Sequence, residues 1–295
     1  MLRACCREKN IPMTLPLSQN TVTRFILWLA FDRKVSSATI SVYLAGLRQL
    51  HIQHNVQHPD IRSEQIKALL QGKKNSEFCA TADIHNAKRR PIMTDTMSRL
   101  KIGITKSHFV IEDKRMIWSA CSILFFGAFR AGEILANDSG KFDPRFTLCA
   151  NDVTRQHNSL ILNIKIPKEN KNGHNAEVTL HKCSDTQLCP ISAWDKWQAY
   201  KPPSEPGQPA FRWLSGLPLT IRQLNAILKD GLHPDNAHFS SHSFRIGAAS
   251  TLGKLGFSDE DIKTFGRWRS SAYEGYIRRG RNNRRPIAER FSSLV

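Results

Sequence analysis

From Ser18, the segment SQNTVTRFILWLAFDR places apolar residues at Val22, Phe25, Ile26 and Leu29. That is the spacing of one helix face, behind a serine able to cap it. Ser37 precedes a second stripe at Ile40, Tyr43, Leu44, Leu47 and Leu50, and Ile66, Leu69 and Leu70 mark a third, shorter one. Stripes of this kind bury themselves only against each other, so a small helical bundle is predicted, closing around Gly72. Residues 73–90 then turn polar, lose the apolar period and carry the cluster Lys88, Arg89, Arg90. The organisation expected is a helical unit at 1–75, a basic linker at 76–90 and a second unit at 91–295. The linker's cations are either a solvated loop or a strip lying against phosphates.

In the second unit, Pro91-Ile92-Met93-Thr94 leads to a helix capped by Thr94 or Asp95. The strongly apolar run IWSACSILFFGAFRAGEIL follows. Leu160, Leu162, Ile164 and Ile166 alternate with Ile161, Asn163 and Lys165, and Val178 and Leu180 alternate beyond the Asn172-Gly173 turn signal. This predicts a hairpin, joined by a strand near 146–153. Trp194 and Trp197, at helical offset, are core residues, and a further helix is expected over Ile221 to Leu228. A helix starting near Ser241 runs through the small residues Gly247, Ala248, Ala249 and Ser250 to Gly256, a natural stop. Ser258 caps the next, with Asp259, Glu260 and Asp261 in its first turn, and Gly266 breaks the chain again. The fold class read from these patterns is mainly α with a small antiparallel β-sheet, an α+β arrangement.

Charge narrows the partner. The 295 residues carry a formal net charge of +18, beyond what solubility requires, and point to a polyanion, with nucleic acid first. No apolar run is long enough to span a bilayer, and no basic helix shows a strong apolar face, so a membrane role is not expected. The first residues, MLRACCREKNIP, put charge and cysteine where a signal peptide needs an apolar core. The seven cysteines are scattered, which suits reduced thiols. Cys183 and Cys189, near His174 and His181, lack the tight spacing of a structural zinc site.

Candidate chemistry gathers in His242 to Arg278, HSFRIGAASTLGKLGFSDEDIKTFGRWRSSAYEGYIR. His242 and Arg245 on one helical turn, at a helix N-terminus, suit an oxyanion, because the guanidinium fork and unpaired N–H groups both face it. Tyr276 lies amid arginines, and nearby cations make a phenol a better nucleophile. Upstream, Arg130 ends the apolar run, with Glu133 one turn later. Either the two form an internal ion pair or Arg130 serves an outside anion. The bland alternative for His242, Arg245 and Tyr276 is a capped helix end and a core aromatic.

In order, H-x-x-R, G-R-W and Y-I-R resemble the C-terminal signature of the tyrosine recombinase (phage integrase) family, in a form similar to the eukaryotic mobile-element recombinases of the DIRS and Crypton types. ATISVYLAGLRQLH is likewise similar to the family's T-I-x-x-Y-L-x-x-L-R-x-x-H pattern in its core-binding domain. Residues 1–12 resemble only the end of the family's first helix, so a copy shortened there is expected. The resemblance implies a helical core-binding domain followed by a catalytic domain, and a catalytic set of Arg130, Glu133, Lys168, His242, Arg245, Trp268 and Tyr276. Lys171 is the alternative to Lys168 on the hairpin tip, and both are otherwise exposed loop lysines. Trp268 lies eight residues before Tyr276, where many bacterial relatives have nine. Also implied are cleavage and rejoining of double-stranded DNA through a 3′-phosphotyrosine, no cofactor or metal, and assembly as a homo-oligomer, a tetramer when synapsed. The expected location is the nucleus in a eukaryote and the cytoplasm otherwise. The alternatives are a catalytically silent, domesticated DNA-binding protein and a type IB topoisomerase.

Overall fold

The computed structural model describes residues 1–82, 89–137, 142–165, 176–201, 203–234 and 238–268, without the side chains of 78–82. The chain divides into two compact units, Met1–Ala87 and Lys88–Val295.

The first unit is helical: α1 (Leu2–Glu8), α2 (Gln19–Leu27), a π turn (Trp28–Asp32), α3 (Ser37–Gln53) and α4 (Glu64–Ala82). Ser18 caps α2 by accepting from the Thr21 N–H at 3.1 Å, and Ser36 caps α3 through Thr39 at 3.2 Å. The predicted stripes meet in one core of Val22, Phe25, Ile26, Trp28, Leu29, Ile40, Leu44, Leu47 and Ile66. Within it His51 is fully buried. Its Nε2 accepts from the Leu17 N–H at 2.9 Å, which leaves Nδ1 as the donor to the Leu47 carbonyl at 2.7 Å. This histidine is a structural joint.

One expectation is corrected here. The helix predicted to close around Gly72 continues to Ala82. Polar pairs along its side sustain it without an apolar period: Gln71 with Asn75 at 2.8 Å and Lys73 with Glu77 at 3.6 Å. Glu77 also accepts from the backbone N–H and hydroxyl of Ser37, at 2.8 and 2.7 Å, tying α4 to the start of α3.

The second unit orders its elements as α5 (Thr94–Lys106), α6 (Ile111–Phe126), α7 (Ala131–Ile134), β1 (Val153–Gln156), β2 (Ser159–Ile164), β3 (Ala176–His181), α8 (Pro190–Gln198), α9 (Ile221–Gly231), α10 (His242–Lys254) and α11 (Asp259–Phe265). The apolar run is α6. Every residue from Met116 to Phe125 on it is buried, as an all-round apolar helix requires, and it packs against α5, α8 and α10. Trp194 and Trp197 are both in this core.

The strands form one antiparallel sheet in the order β1-β2-β3, with Leu160 opposite Leu180 and Leu162 opposite both Val153 and Val178. The strand expected near 146–153 instead begins at Val153, after a short 3-10 turn over Ala150–Asp152. The Asp152 carboxylate makes that turn by accepting from the Cys149 N–H at 2.7 Å and from Lys165 at 2.5 Å. Met93, rather than Thr94 or Asp95, stands at the N-cap of α5. The hairpin tip at 166–175, with Lys168 and Lys171, lies outside the described residues. Among the described residues no helix is long and apolar enough to cross a membrane, and the cysteines are free thiols.

Candidate phosphodiester site

Helix α10 begins where several elements fix it. Asn225 of α9 accepts from the Ser241 N–H at 2.7 Å, and Ser243 accepts from the Ser240 N–H through its hydroxyl at 3.1 Å. The segment entering α5 crosses the same helix. Arg90 donates its N–H to the His238 carbonyl at 2.9 Å, and Ile92 donates to the Ser243 carbonyl at 3.0 Å. Only a glycine allows this crossing, since a Cβ on Gly247 would lie 1.8 Å from the Ile92 carbonyl oxygen.

His242 is the first residue of α10 and is half-buried. Its imidazole is held below the ordinary histidine value, first by burial and then by the charges of Arg89, Arg245 and Arg130. Arg245, one turn on, is 1% exposed. Its guanidinium donates to the carbonyl of Ala128 and, at 2.6 Å, to that of Gly266, and it stands 4.2 Å from the centre of the Trp268 ring. A buried guanidinium without such partners would cost several kcal/mol, on the order of 3–5. Trp268 is thus the aromatic support of Arg245.

Arg130 stands at the N-cap of α7, just beyond the end of α6. Its side chain is 53% exposed and Nη1 is 3.3 Å from Oε1 of Glu133. Glu133 is more enclosed, and its Oε2 accepts from the backbone N–H of Arg130 at 2.9 Å. The same oxygen takes a bond from Nη2 of Arg267 at 3.2 Å. Arg267 also donates to the Gly127 carbonyl at 3.2 Å and lies over the ring of Phe129. The turns at 127–130 and 266–268 are therefore laced together by two arginines. Both turns hold a non-glycine residue at positive φ, Ala128 at 45° and Arg267 at 57°. Each such residue costs roughly 1–3 kcal/mol, a strain typical of functional sites.

The structure thus brings Arg130, Glu133, His242, Arg245 and Trp268 together. The internal ion pair and the outward-facing Arg130 coexist, because Glu133 holds mainly the backbone of Arg130 while the guanidinium stays open to solvent. Lys168 and Tyr276, with Lys171 and Tyr273, lie outside the described residues. Two cations were not singled out from sequence. In the sequence Arg89 is one of the linker's cations, and Arg267 stands within G-R-W with no role of its own. The signal for Arg267 was its position directly after the glycine that ends α11. Among the described residues no group of His, Cys, Asp and Glu is arranged to hold a metal ion.

Two guanidinia thus share the Glu133 carboxylate, with Arg245 and His242 close by, a cationic setting of the kind that carboxylates and phosphates bind. No protein-family model and no curated protein matches the sequence, but solved structures do. A XerH site-specific recombinase bound to its palindromic difH substrate, in a post-cleavage complex, superposes with a TM-score of 0.67 at 13% identity, over 98% of this chain and 76% of that one. The Tn1549 transposon integrase in complex with transposon right end DNA gives 0.61 at 12% identity, over 99% and 91%. The fold is that of the tyrosine recombinases. A pre-cleavage XerH complex agrees, at a TM-score of 0.58 and 13% identity over 90% of this chain and 68% of the other. In this recombinase fold the arginine cluster sits where α10 meets the ends of α6 and α11.

Proposed function

We propose that the chain is a site-specific DNA recombinase of the tyrosine type, derived from a mobile element of the DIRS or Crypton kind. The observation that carries the reading is the shared environment of Arg130, His242 and Arg245. All three converge at the head of α10 with Glu133 as the acid beside Arg130, within a fold like that of recombinases crystallised on DNA.

Tyr276 attacks a DNA phosphodiester in line. The new bond joins the phenolic oxygen to phosphorus, and the P–O bond to the 5′-oxygen breaks. The 3′-phosphotyrosine keeps the phosphoester linkage, so the reverse attack by a 5′-hydroxyl reseals a strand without an energy source. Arg130 and Arg245 neutralise charge growing on the nonbridging oxygens. Lys168 protonates the leaving 5′-oxygen, and neutral His242 takes the tyrosine proton. The partner is double-stranded DNA, bound with the help of the +18 charge. The working assembly is a synaptic homotetramer, and the expected location is the nucleus in a eukaryote and the cytoplasm otherwise.

The test is a nicked suicide duplex from which the cleaved end diffuses away, incubated with wild type and Tyr276→Phe and resolved under denaturing conditions. A covalent protein–DNA band present only with Tyr276 is the expected result. Salt-sensitive binding without any band, across a library of duplexes, would replace this reading with that of a DNA-binding protein that no longer cuts.

A further inference from the structure

One carboxylate serves two guanidinia, and the two are held unequally. Arg130 reaches Glu133 through a single 3.3 Å contact from a side chain that is 53% exposed, longer than charge-assisted bonds usually run. Arg267 is 22% exposed, bonds Glu133 at 3.2 Å and is also fastened to the Gly127 carbonyl and to the face of Phe129. An arriving anion can draw the Arg130 guanidinium away at the loss of one long contact. Drawing Arg267 away would break three, including its tie to the turn that carries Arg130.

Once Arg130 turns to an anion, Glu133 would face that anion as a like charge unless a second cation stayed with it. We propose that Arg267 is a positioning residue that keeps Glu133 neutralised while Arg130 moves its guanidinium onto a phosphate oxygen. Glu133 can then go on holding the Arg130 backbone N–H through Oε2 without repelling the phosphate. The proposal rests on the phosphate-binding part of the reading above and adds Arg267 as an auxiliary to Arg130, not as a group touching the substrate.

A carboxamide at Glu133 keeps an oxygen for the Arg130 N–H but carries no charge, so it removes the need for Arg267. The probe is inorganic phosphate, titrated into the whole chain, with the ring protons of His242 followed by NMR. Wild type, Arg267→Met, Arg267→Lys and the double variant Arg267→Met with Glu133→Gln are compared, with Tm recorded for each. Arg267→Met is expected to weaken phosphate roughly 10-fold to 100-fold, the usual coupling within one ion-pair network. Arg267→Lys should retain most of the affinity, and the double variant should recover it. Affinity unchanged in Arg267→Met, a loss that Glu133→Gln fails to restore, or no phosphate binding by wild type would overturn the proposal. A wild type that binds phosphate in this way but gives no covalent band on nicked DNA keeps this proposal and loses the recombinase.

Discussion

His242 shows how neighbours set a side chain's chemistry. Burial and three arginines all disfavour its protonated form, so its proton leaves on the acid side of 6.5, the ordinary value. The unfolded chain then binds a proton more readily than the folded one. The stability linked to this group is therefore complete above pH 6.5 and declines as pH falls toward the lowered folded value. A lowered value favours the uncharged ring at neutral pH, the form that the role proposed for it in taking the tyrosine proton requires. A ring-proton titration of DNA-free protein should give a midpoint below 6.5, and Arg89→Ala should move it upward by removing the second-largest influence. A midpoint at or above 6.5 would mean that burial and the cations together do not act on this ring as described. Residue types and spacing pointed to His242, Arg245 and Arg130 because few other arrangements call for them together. For Arg267 only its place after Gly266 was legible, since its bond to Glu133 joins it to a carboxylate 134 residues away in sequence.

At the scale of elements, α10 is the part on which the site is built, and its register depends on one missing side chain. Gly247→Ala would drive a methyl group into the Ile92 backbone. It should cost about 1–3 kcal/mol, as overpacking does, seen as a lower denaturant midpoint in urea. An unchanged midpoint would show that the crossing segment can step aside. Most elements were legible for local reasons. Ser18 and Ser258 cap where their hydroxyls meet free N–H groups, and Gly256 takes φ +85° beyond the end of α10. The misses rest on polar contacts, some local and some distant in sequence. The second half of α4 is sustained by polar pairs and by Glu77 reaching Ser37, and β1 is delayed by Asp152 binding Lys165 across the turn. Neither leaves a mark in hydrophobic period.

At the scale of the whole molecule, two separate cores and a large positive charge set the behaviour to expect in solution. Duplex affinity should fall steeply with salt, by roughly 1,000-fold or more between 50 and 200 mM KCl if six or more phosphates are neutralised. Fluorescence anisotropy with a labelled duplex would check this, and a shallow slope would argue against an extended phosphate track. The arginine of α10 has a further consequence for judging which copies of such a gene still work. Because Arg245 is 1% exposed and joins two turns through their carbonyls, losing it is expected to harm folding as well as the phosphate contact proposed for it. A lineage that had given up cutting DNA but still needed an intact protein would have reason to keep it. Arg130, whose side chain is half open to solvent, has far less of that insurance. If the proposed reaction holds, an inventory of active descendants should therefore weigh Arg130 and Tyr276 above Arg245, although the buried arginine is the more conspicuous of the motif's members.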